Sequence, residues 1–139
     1  MSEKRYYFDT SIWLDFIENR NEPNMPKGEW AKMLVEKIIH ENSKIIFSDM
    51  NYQELERIGY SRYEIDEFML YISEFIIIVE SEPAQFRRAK DLSKKRNIPL
   101  LDAIHALLAR DYNAILITLD RHFLELTDII KSNKPADFI

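Results

Sequence analysis

Short apolar runs alternate with longer amphipathic stretches along the whole chain. The apolar runs predict β-strands, and stretches with apolar residues three or four positions apart predict α-helices. Strands are predicted at Arg5–Phe8, Lys44–Phe47, Phe75–Val79 and Ala114–Thr118, and a fifth near Asp128–Ile130. Helices are predicted at Ser11–Glu18, about Glu29–His40, Met50–Ile58, Ser61 to about Ser73, Pro83 to about Arg96, Leu100 or Leu101 to Arg110, and Asp120–Leu126.

Strands separated by helices are too far apart for hairpins, so they imply right-handed crossovers and a parallel sheet covered by helices. We therefore predict an α/β fold of three layers, in which helices flank a small parallel sheet of four to five strands. The continuous apolar run Phe75–Val79 is typical of an interior strand that is covered on both faces. The length of 139 residues and the absence of linkers or repeats predict a single domain over residues 1–139.

Composition excludes several classes of site. The chain has no cysteine, which excludes disulfides, thiolate nucleophiles and zinc-thiolate sites. Its two glycines leave no room for a glycine-rich phosphate loop. No apolar stretch approaches the roughly 20 residues that cross a bilayer, and the start MSEKRYYFDT is too polar for a secretory signal. We expect a cytoplasmic protein without a membrane partner. The net charge of −5 argues mildly against a large nonspecific nucleic-acid surface.

Four acidic residues occupy positions at which a parallel sheet collects ligands. Asp9 follows the first predicted strand, and Asp120 lies two residues after Thr118, which ends the fourth. Asp102 lies in the first turn of its helix, and Glu54 lies about a turn and a half into another. Because ligands bind outside the carboxyl ends of such strands, these acids can converge although they are distant in sequence. Converging carboxylates predict a site for a hard cation such as Mg²⁺ or Mn²⁺.

Each acid also has a plain structural interpretation. Taken singly, Asp9, Asp102 or Asp120 could be only a helix N-cap. Glu54 alone is more typical of a solvated helix glutamate. Asp49 is interpreted as a cap, and Asp15 is predicted to be solvated on the polar side of its helix. For Glu54, only the order of the sequence motifs along the chain favours a place in the site.

Four sequence motifs resemble the PIN-domain nucleases in order and spacing. They read FDTSIWLDFI, NYQEL, LLDAIHALLA and ITLDRHF, and the resemblance covers roughly residues 6 to 125. A free-standing PIN domain of this length is similar to the VapC-type toxin ribonucleases of type II toxin-antitoxin pairs.

The resemblance implies a metal-dependent endoribonuclease that hydrolyses single-stranded RNA with Mg²⁺ or Mn²⁺. The residues matched to the metal ligands are Asp9, Asp102 and Asp120. Glu54 matches the glutamate that orients a metal-bound water, and Thr118 and Thr10 are expected to support the pocket. The resemblance also implies a homodimer and an antitoxin protein that blocks the acidic groove. The alternative is a PIN scaffold that binds RNA or protein without nuclease activity.

Basic residues supply candidates for RNA contact. The stretch FRRAKDLSKKRN at Phe86–Asn97 favours a solvated helix face, but it would steer an RNA backbone if it bordered the acidic pocket. Its candidates are Arg87, Arg88, Lys94, Lys95 and Arg96. Arg121 and His122 could contact a phosphate near Asp120, whereas His105 is predicted to pack against a neighbouring helix.

Overall fold

The computed structural model describes residues 3–139, so Met1 and Ser2 of the predicted domain lie outside the described residues. Its strands are β1 (Arg5–Phe8), β2 (Lys44–Ser48), β3 (Ile76–Val79), β4 (Ile115–Ile117) and β5 (Ser132–Asn133). Its helices are α1 (Thr10–Glu18), α2 (Lys27–His40), α3 (Asp49–Ile58), α4 (Arg62–Leu70), α5 (Pro83–Arg96) and α6 (Leu100–Asp111). Short 3₁₀ segments lie at Ser73–Phe75, Arg121–Leu126 and Pro135–Phe138.

The five strands form one parallel sheet in the order β3-β2-β1-β4-β5. β1 is central, because Tyr7 lies opposite Ile46 of β2 on one side and Leu116 of β4 on the other. The predicted α/β parallel sheet is therefore confirmed. Since all strands run in one direction, their carboxyl ends share one edge, and the residues that follow β1 and β4 come together there.

Helices cover both faces of the sheet. Side chains alternate along β1, so Tyr6 and Phe8 belong to one core while Tyr7 belongs to the other. The first core packs against α1 and α2 and the second against α5 and α6. This arrangement confirms the three predicted layers. Within residues 3–139, no helix combines the length and the apolar character needed to cross a membrane.

Two strand predictions were wrong in position. We predicted an interior strand at Phe75–Val79, but the strand there is β3 (Ile76–Val79), an edge strand that pairs only with β2 among the described residues. Its Ile78 side chain is 61% exposed. The fifth strand lies at Ser132–Asn133 and not near Asp128–Ile130. Ile129 and Ile130 turn back toward Leu126 through their backbone amides and pack on the α5–α6 core. Their apolar side chains are thus half-buried without a ladder of strand hydrogen bonds.

Candidate active site

Asp9 is a buried carboxylate at the carboxyl end of the central strand. It is 4% exposed and is the N-cap of α1, because its Oδ1 accepts from the Ile12 amide at 3.1 Å. Its Oδ2 accepts from the hydroxyl of Thr118, whose own oxygen accepts from the Asp120 amide at 3.0 Å. Asp9 therefore caps a helix and also belongs to the acidic site, and Thr118 connects it to the end of β4.

Burial makes the ionised form of Asp9 costly. Desolvation raises its pKa from 3.8 to about 6, although the Thr118 hydroxyl, the charge of His105 and the Ile12 amide all act to lower it. The nearby Asp102 carboxylate adds to the increase in pKa. A cation bound here would favour the ionised form, because its charge would offset both the lost hydration of the carboxylate and the repulsion from Asp102.

Glu54 points from α3 toward the same edge and is held by two donors. Its Oε1 accepts from the Thr10 hydroxyl at 2.6 Å and lies 2.5 Å from Nε2 of His105. Burial alone would raise the pKa of Glu54, but the hydrogen bonds from His105 and Thr10 and the charge of His105 lower it. The Glu54 carboxylate is therefore an ionised acceptor near neutral pH, and it is not a solvated helix glutamate.

His105 does more than pack against a helix. Its ring is 2% exposed, and its Nδ1 lies 2.5 Å from the Tyr7 hydroxyl, which is 2.8 Å from Oγ of Ser48. The Ser48 hydroxyl donates to Oδ1 of Asn51 at 3.2 Å, and the side-chain Nδ2 of Asn51 donates to the Thr10 hydroxyl at 3.0 Å.

These contacts close a buried polar ring. Its members are Tyr7, Thr10, Ser48, Asn51, Glu54 and His105. A buried polar group without a hydrogen-bond partner destabilises the fold. Each member of the closed ring therefore has to stay where it contacts its two neighbours, which fixes the ring in one geometry. The Glu54 carboxylate is therefore positioned by side chains from β1, α1 and α6 as well as by its own helix.

Asp102 and Asp120 form a more open pair. His122 lies between them, with its Nδ1 3.1 Å from Oδ2 of Asp102 and 3.1 Å from Oδ1 of Asp120. Ligand atoms of these three residues all lie within 4.8 Å of one another, a spacing that suits one metal ion. Asp120 also caps the segment Arg121–Leu126 by accepting from the His122 amide at 2.9 Å. Asp102 makes no cap, since the N-cap position of α6 is Pro99.

The electrostatics of this pair resemble those of Asp9. Burial, and to a smaller extent the charge of Asp120, raise the pKa of Asp102 to about 6, although His122 and His105 act to lower it. Oxygen donors from crowded carboxylates fit a hard divalent cation, and the imidazole of His122 is a further donor that Mn²⁺ accepts. The residues present therefore fit the metal that the sequence predicts.

Two other acids lie outside the site. Asp15 was predicted to be solvated, but it is 2% exposed and pairs with Arg20 at 2.9 Å. The ion pair compensates for burial on the inner side of α1. Asp49 holds the loop after β3 by accepting from Ser81, and the N-cap of α3 is Ser48.

The basic candidates divide into two groups. Arg121 is exposed directly after Asp120. Arg88 instead pairs with Asp91 at 3.2 Å and lines a separate cavity with Arg110 at the far end of α6, so the structure does not bring it to the acids. Arg87 is exposed in the same half of α5.

The C-terminal end of α5 lies nearer to the site. Arg96 pairs with Asp128 at 2.7 Å and donates to the Glu125 carbonyl, which brings this end beside the segment Arg121–Leu126. Lys94 and Lys95 are exposed there, and Lys95 pairs with Asp91 at 3.2 Å.

The fold and the site define an α/β protein with a carboxylate-rich site at the carboxyl edge of a parallel sheet. The PIN domain family matches residues 6–129 of the chain. The chain belongs to this family, which is the nuclease family that its motifs resemble. No curated protein matches the chain.

Solved structures share this fold at low sequence identity. One is a toxin-antitoxin complex from Klebsiella pneumoniae, with 20% identity, a TM-score of 0.63, and coverage of 94% of this chain and 97% of that chain. A second is VapBC-1 from nontypeable Haemophilus influenzae, with 21% identity, a TM-score of 0.66, and coverage of 95% and 98%. A third is VapBC2 from Rickettsia felis bound to a DNA fragment from their promoter, with 17% identity, a TM-score of 0.66, and coverage of 94% and 98%.

Proposed function

We propose that residues 1–139 form a single PIN domain that acts as a metal-dependent endoribonuclease on single-stranded RNA in the cytoplasm. The observation that carries this proposal is the gathering of the four matched acids, from four separate elements, at one edge of the sheet. Asp9 is linked to Asp120 through Thr118, and His122 links Asp120 to Asp102. Glu54 joins them through Thr10, which directly follows Asp9. Such an arrangement is costly without a cation, which supports a catalytic site over a binding scaffold.

Asp102, Asp120 and Asp9 would hold Mg²⁺ or Mn²⁺, which supplies an activated water and stabilises the charge that develops on the phosphate and the leaving oxygen. Glu54 contributes a fixed acceptor. Because both of its described donors bind Oε1, its Oε2 is left to accept a hydrogen bond from the attacking water and to orient it. Thr118 holds one Asp9 oxygen in place through its hydroxyl.

The test is cleavage of a mixture of single-stranded and structured RNAs by the purified protein with Mg²⁺, Mn²⁺ or EDTA. We expect cleavage that needs the metal and that is lost in Asp9→Asn. Asp111→Asn is the matched control, because Asp111 is a carboxylate that pairs with Arg110 at the far end of α6. If folded protein without a bound inhibitor cleaves no RNA with any metal, the binding-module alternative replaces the enzyme.

We further propose that the enzyme is the toxin of a toxin-antitoxin pair and that an antitoxin protein blocks its groove. The support is the similarity in fold to chains of toxin-antitoxin complexes. Expression of the wild-type protein alone should arrest growth, and expression of Asp9→Asn should not. Equal growth in the two cultures, with equal protein levels, would contradict the role as a toxin.

We also propose a homodimer. Exposed apolar side chains support an interface at the end of α4 and at the edge of the sheet, where Leu70, Tyr71 and Ile78 are all more than half exposed. Light scattering should give a mass about twice the 16.7 kDa of the chain. Leu70→Glu or Ile78→Glu should reduce this mass to that of a monomer, and a monomeric wild type would refute the proposal.

A further inference from the structure

A cavity of about 540 Å³ opens beside the acidic site, and none of the roles above uses it. Its wall includes Thr118 and Asp120, so it reaches the acidic site at Asp120. β5 forms another part of the wall, and it is tied to the site because Thr118 donates its amide to the Asn133 carbonyl at 2.8 Å. We call this space the side cavity. Its volume lies within the roughly 300–1,000 Å³ of small-molecule sites.

Three cations line the side cavity, although the chain as a whole is acidic. They are Lys27 at the start of α2, Arg121 after Asp120, and Lys134 after β5. Lys27 lies 3.6 Å from Glu22, a part-exposed ion pair that contributes little and that a phosphate can replace. Two carboxylates, Asp120 and Asp137, line the same cavity, and Asp137 already accepts from the Lys134 amide at 2.9 Å.

Apolar surface lies among these cations. Met25 and Leu124 line the side cavity and are exposed there, and Leu119 adds a half-buried surface. The Lys27 amide donates to the Met25 carbonyl at 2.8 Å, which holds this cation beside the apolar side chain. A nucleotide presents the matching chemistry, because it combines the flat apolar faces of a base with charged phosphates.

We propose that the side cavity binds one nucleotide of single-stranded RNA, adjacent to the phosphodiester at the acidic site. Lys27, Arg121 and Lys134 contact the phosphates of this nucleotide, and Met25, Leu119 and Leu124 contact its base. The proposal rests on the proposed function, since it names a binding site for the same substrate. It explains how an acidic protein binds a polyanion, because three of its cations are concentrated in one cavity.

Binding is measured in EDTA, where the proposed cleavage cannot occur, by fluorescence anisotropy of a labelled single-stranded RNA over a range of salt concentrations. The double variant Lys27→Met and Lys134→Met removes two cations and keeps their apolar stems. Each lost phosphate contact on a single strand lowers the salt slope by about 0.7. We therefore expect a slope smaller by about 1.4 and roughly tenfold weaker binding near 0.15 M salt. Lys90→Met, on the exposed face of α5, is the matched control and should bind as the wild type does.

Two further measurements separate a nucleotide site from a general anion site. Leu124→Ser should weaken RNA binding about threefold without changing the salt slope, because it removes apolar contact only. Poly-L-glutamate of equal charge should bind at least about tenfold more weakly than the RNA. Equal binding of the two polyanions would overturn the proposal and would assign the cavity to an acidic protein segment. If the double variant fails to fold, Arg121→Met tests the same cavity with one contact.

The side cavity and the proposed function can fail separately. If RNA binding depends on Lys27 and Lys134 but the protein fails to cleave RNA with any metal tested, the nucleotide site is supported and the proposed nuclease activity is rejected. If the wild type cleaves RNA and the folded double variant has the same KM and the same salt slope, the proposed nuclease activity is supported and the nucleotide site is rejected. A loss of binding in Lys90→Met as large as that in the double variant would also reject it.

Discussion

The two halves of the acidic site are built in contrasting ways. In the inner half, Asp9 and Glu54 accept hydrogen bonds from protein donors, which are Thr118 and the Ile12 amide for one acid and Thr10 and His105 for the other. In the outer half, Asp102 and Asp120 repel each other across a short gap, and the exposed ring of His122 lies between them.

This difference separates positioning from binding. Carboxylates with fixed donors have a set geometry before any ligand arrives, so they are preorganised for the groups that they contact. In the outer half, Asp120 accepts from the His122 amide and both acids lie beside the exposed His122 ring, but the charge of Asp120 opposes ionisation of Asp102, so a bound cation would relieve more repulsion there. We therefore expect the inner half to fix the position of the reacting groups and the outer half to supply much of the affinity for metal.

The largest expected effect comes from neutralising the inner half. Asp9→Asn should lower kcat/KM for RNA by about 10³-fold or more, equivalent to about 4 kcal/mol. Folding should improve, because raising the pKa of Asp9 from 3.8 to about 6 costs roughly 3 kcal/mol at pH 7. Asparagine keeps the N-cap. Urea unfolding in EDTA should therefore show a more stable variant, and a variant that is both inactive and unstable would mean that Asp9 is mainly a cap.

The second largest effect is the expected pH dependence of metal binding. The pKa values of Asp9 and Asp102 are both raised to about 6, and metal binds their ionised forms, so affinity should rise with pH. Calorimetry should find Mn²⁺ binding roughly 100-fold tighter at pH 7 than at pH 5.

Stability should change in the opposite direction. Between about pH 4 and pH 6, Asp9 and Asp102 are ionised in the unfolded chain but still largely protonated in the folded one. The metal-free protein therefore loses stability as the pH rises through this window, and it loses no more above it. The difference in thermal unfolding between the wild type and Asp9→Asn should follow this course. An affinity for Mn²⁺ that does not change with pH would show that the two acids are not its ligands.

A smaller effect tests the buried polar ring. His105→Ala removes one of the two donors on Glu54 and should lower kcat about 10–100-fold, with less change in KM, as is typical of residues that orient catalytic groups. Tyr7→Phe keeps the aromatic packing and removes only the hydroxyl, so its loss should be smaller. His40→Ala, at the exposed end of α2, is the control. Full activity in folded His105→Ala would show that Glu54 needs no support from α6.

The smallest effect belongs to the outer half. His122→Ala removes an exposed imidazole that lowers the pKa of Asp102, so this pKa should rise further in the metal-free protein. Cleavage at saturating metal should fall by less than about fivefold, because the cation takes over the role of the imidazole. Proton NMR titration of Asp102 would follow the change in pKa. A loss as large as that for Asp9→Asn would instead make His122 an essential ligand.

The sequence predicted much of the fold because its periodicity is clear. Every α-helix except α4 ends within two residues of its predicted end, and the site acids Asp9 and Asp120 follow strands, as their positions indicated. The sequence could not show that β3 is an edge strand, because a run of isoleucines reads the same in an interior strand and at an edge. Only the pairing of the strands decides this.

The polar ring was beyond prediction for a related reason. His105 lies in the apolar string LLDAIHALLA, and its partner Tyr7 is 98 positions away. Packing was therefore the natural interpretation for both side chains. The one local signal was Ser48 followed three residues later by Asn51, which form the capping box of α3 and two members of the ring.

The central position of β1 in the sheet determines whether local unfolding can disrupt the site. Its amides are hydrogen-bonded within the sheet between β2 and β4, so they should exchange with deuterium only on global unfolding, whereas the short edge strands open in local fluctuations. Asp9 sits at the end of this slowest-exchanging strand. We therefore expect the inner half of the site to keep its geometry in any partly unfolded form that retains the central strand. An inhibitor protein would then have to cover the site, because local unfolding would not disrupt it.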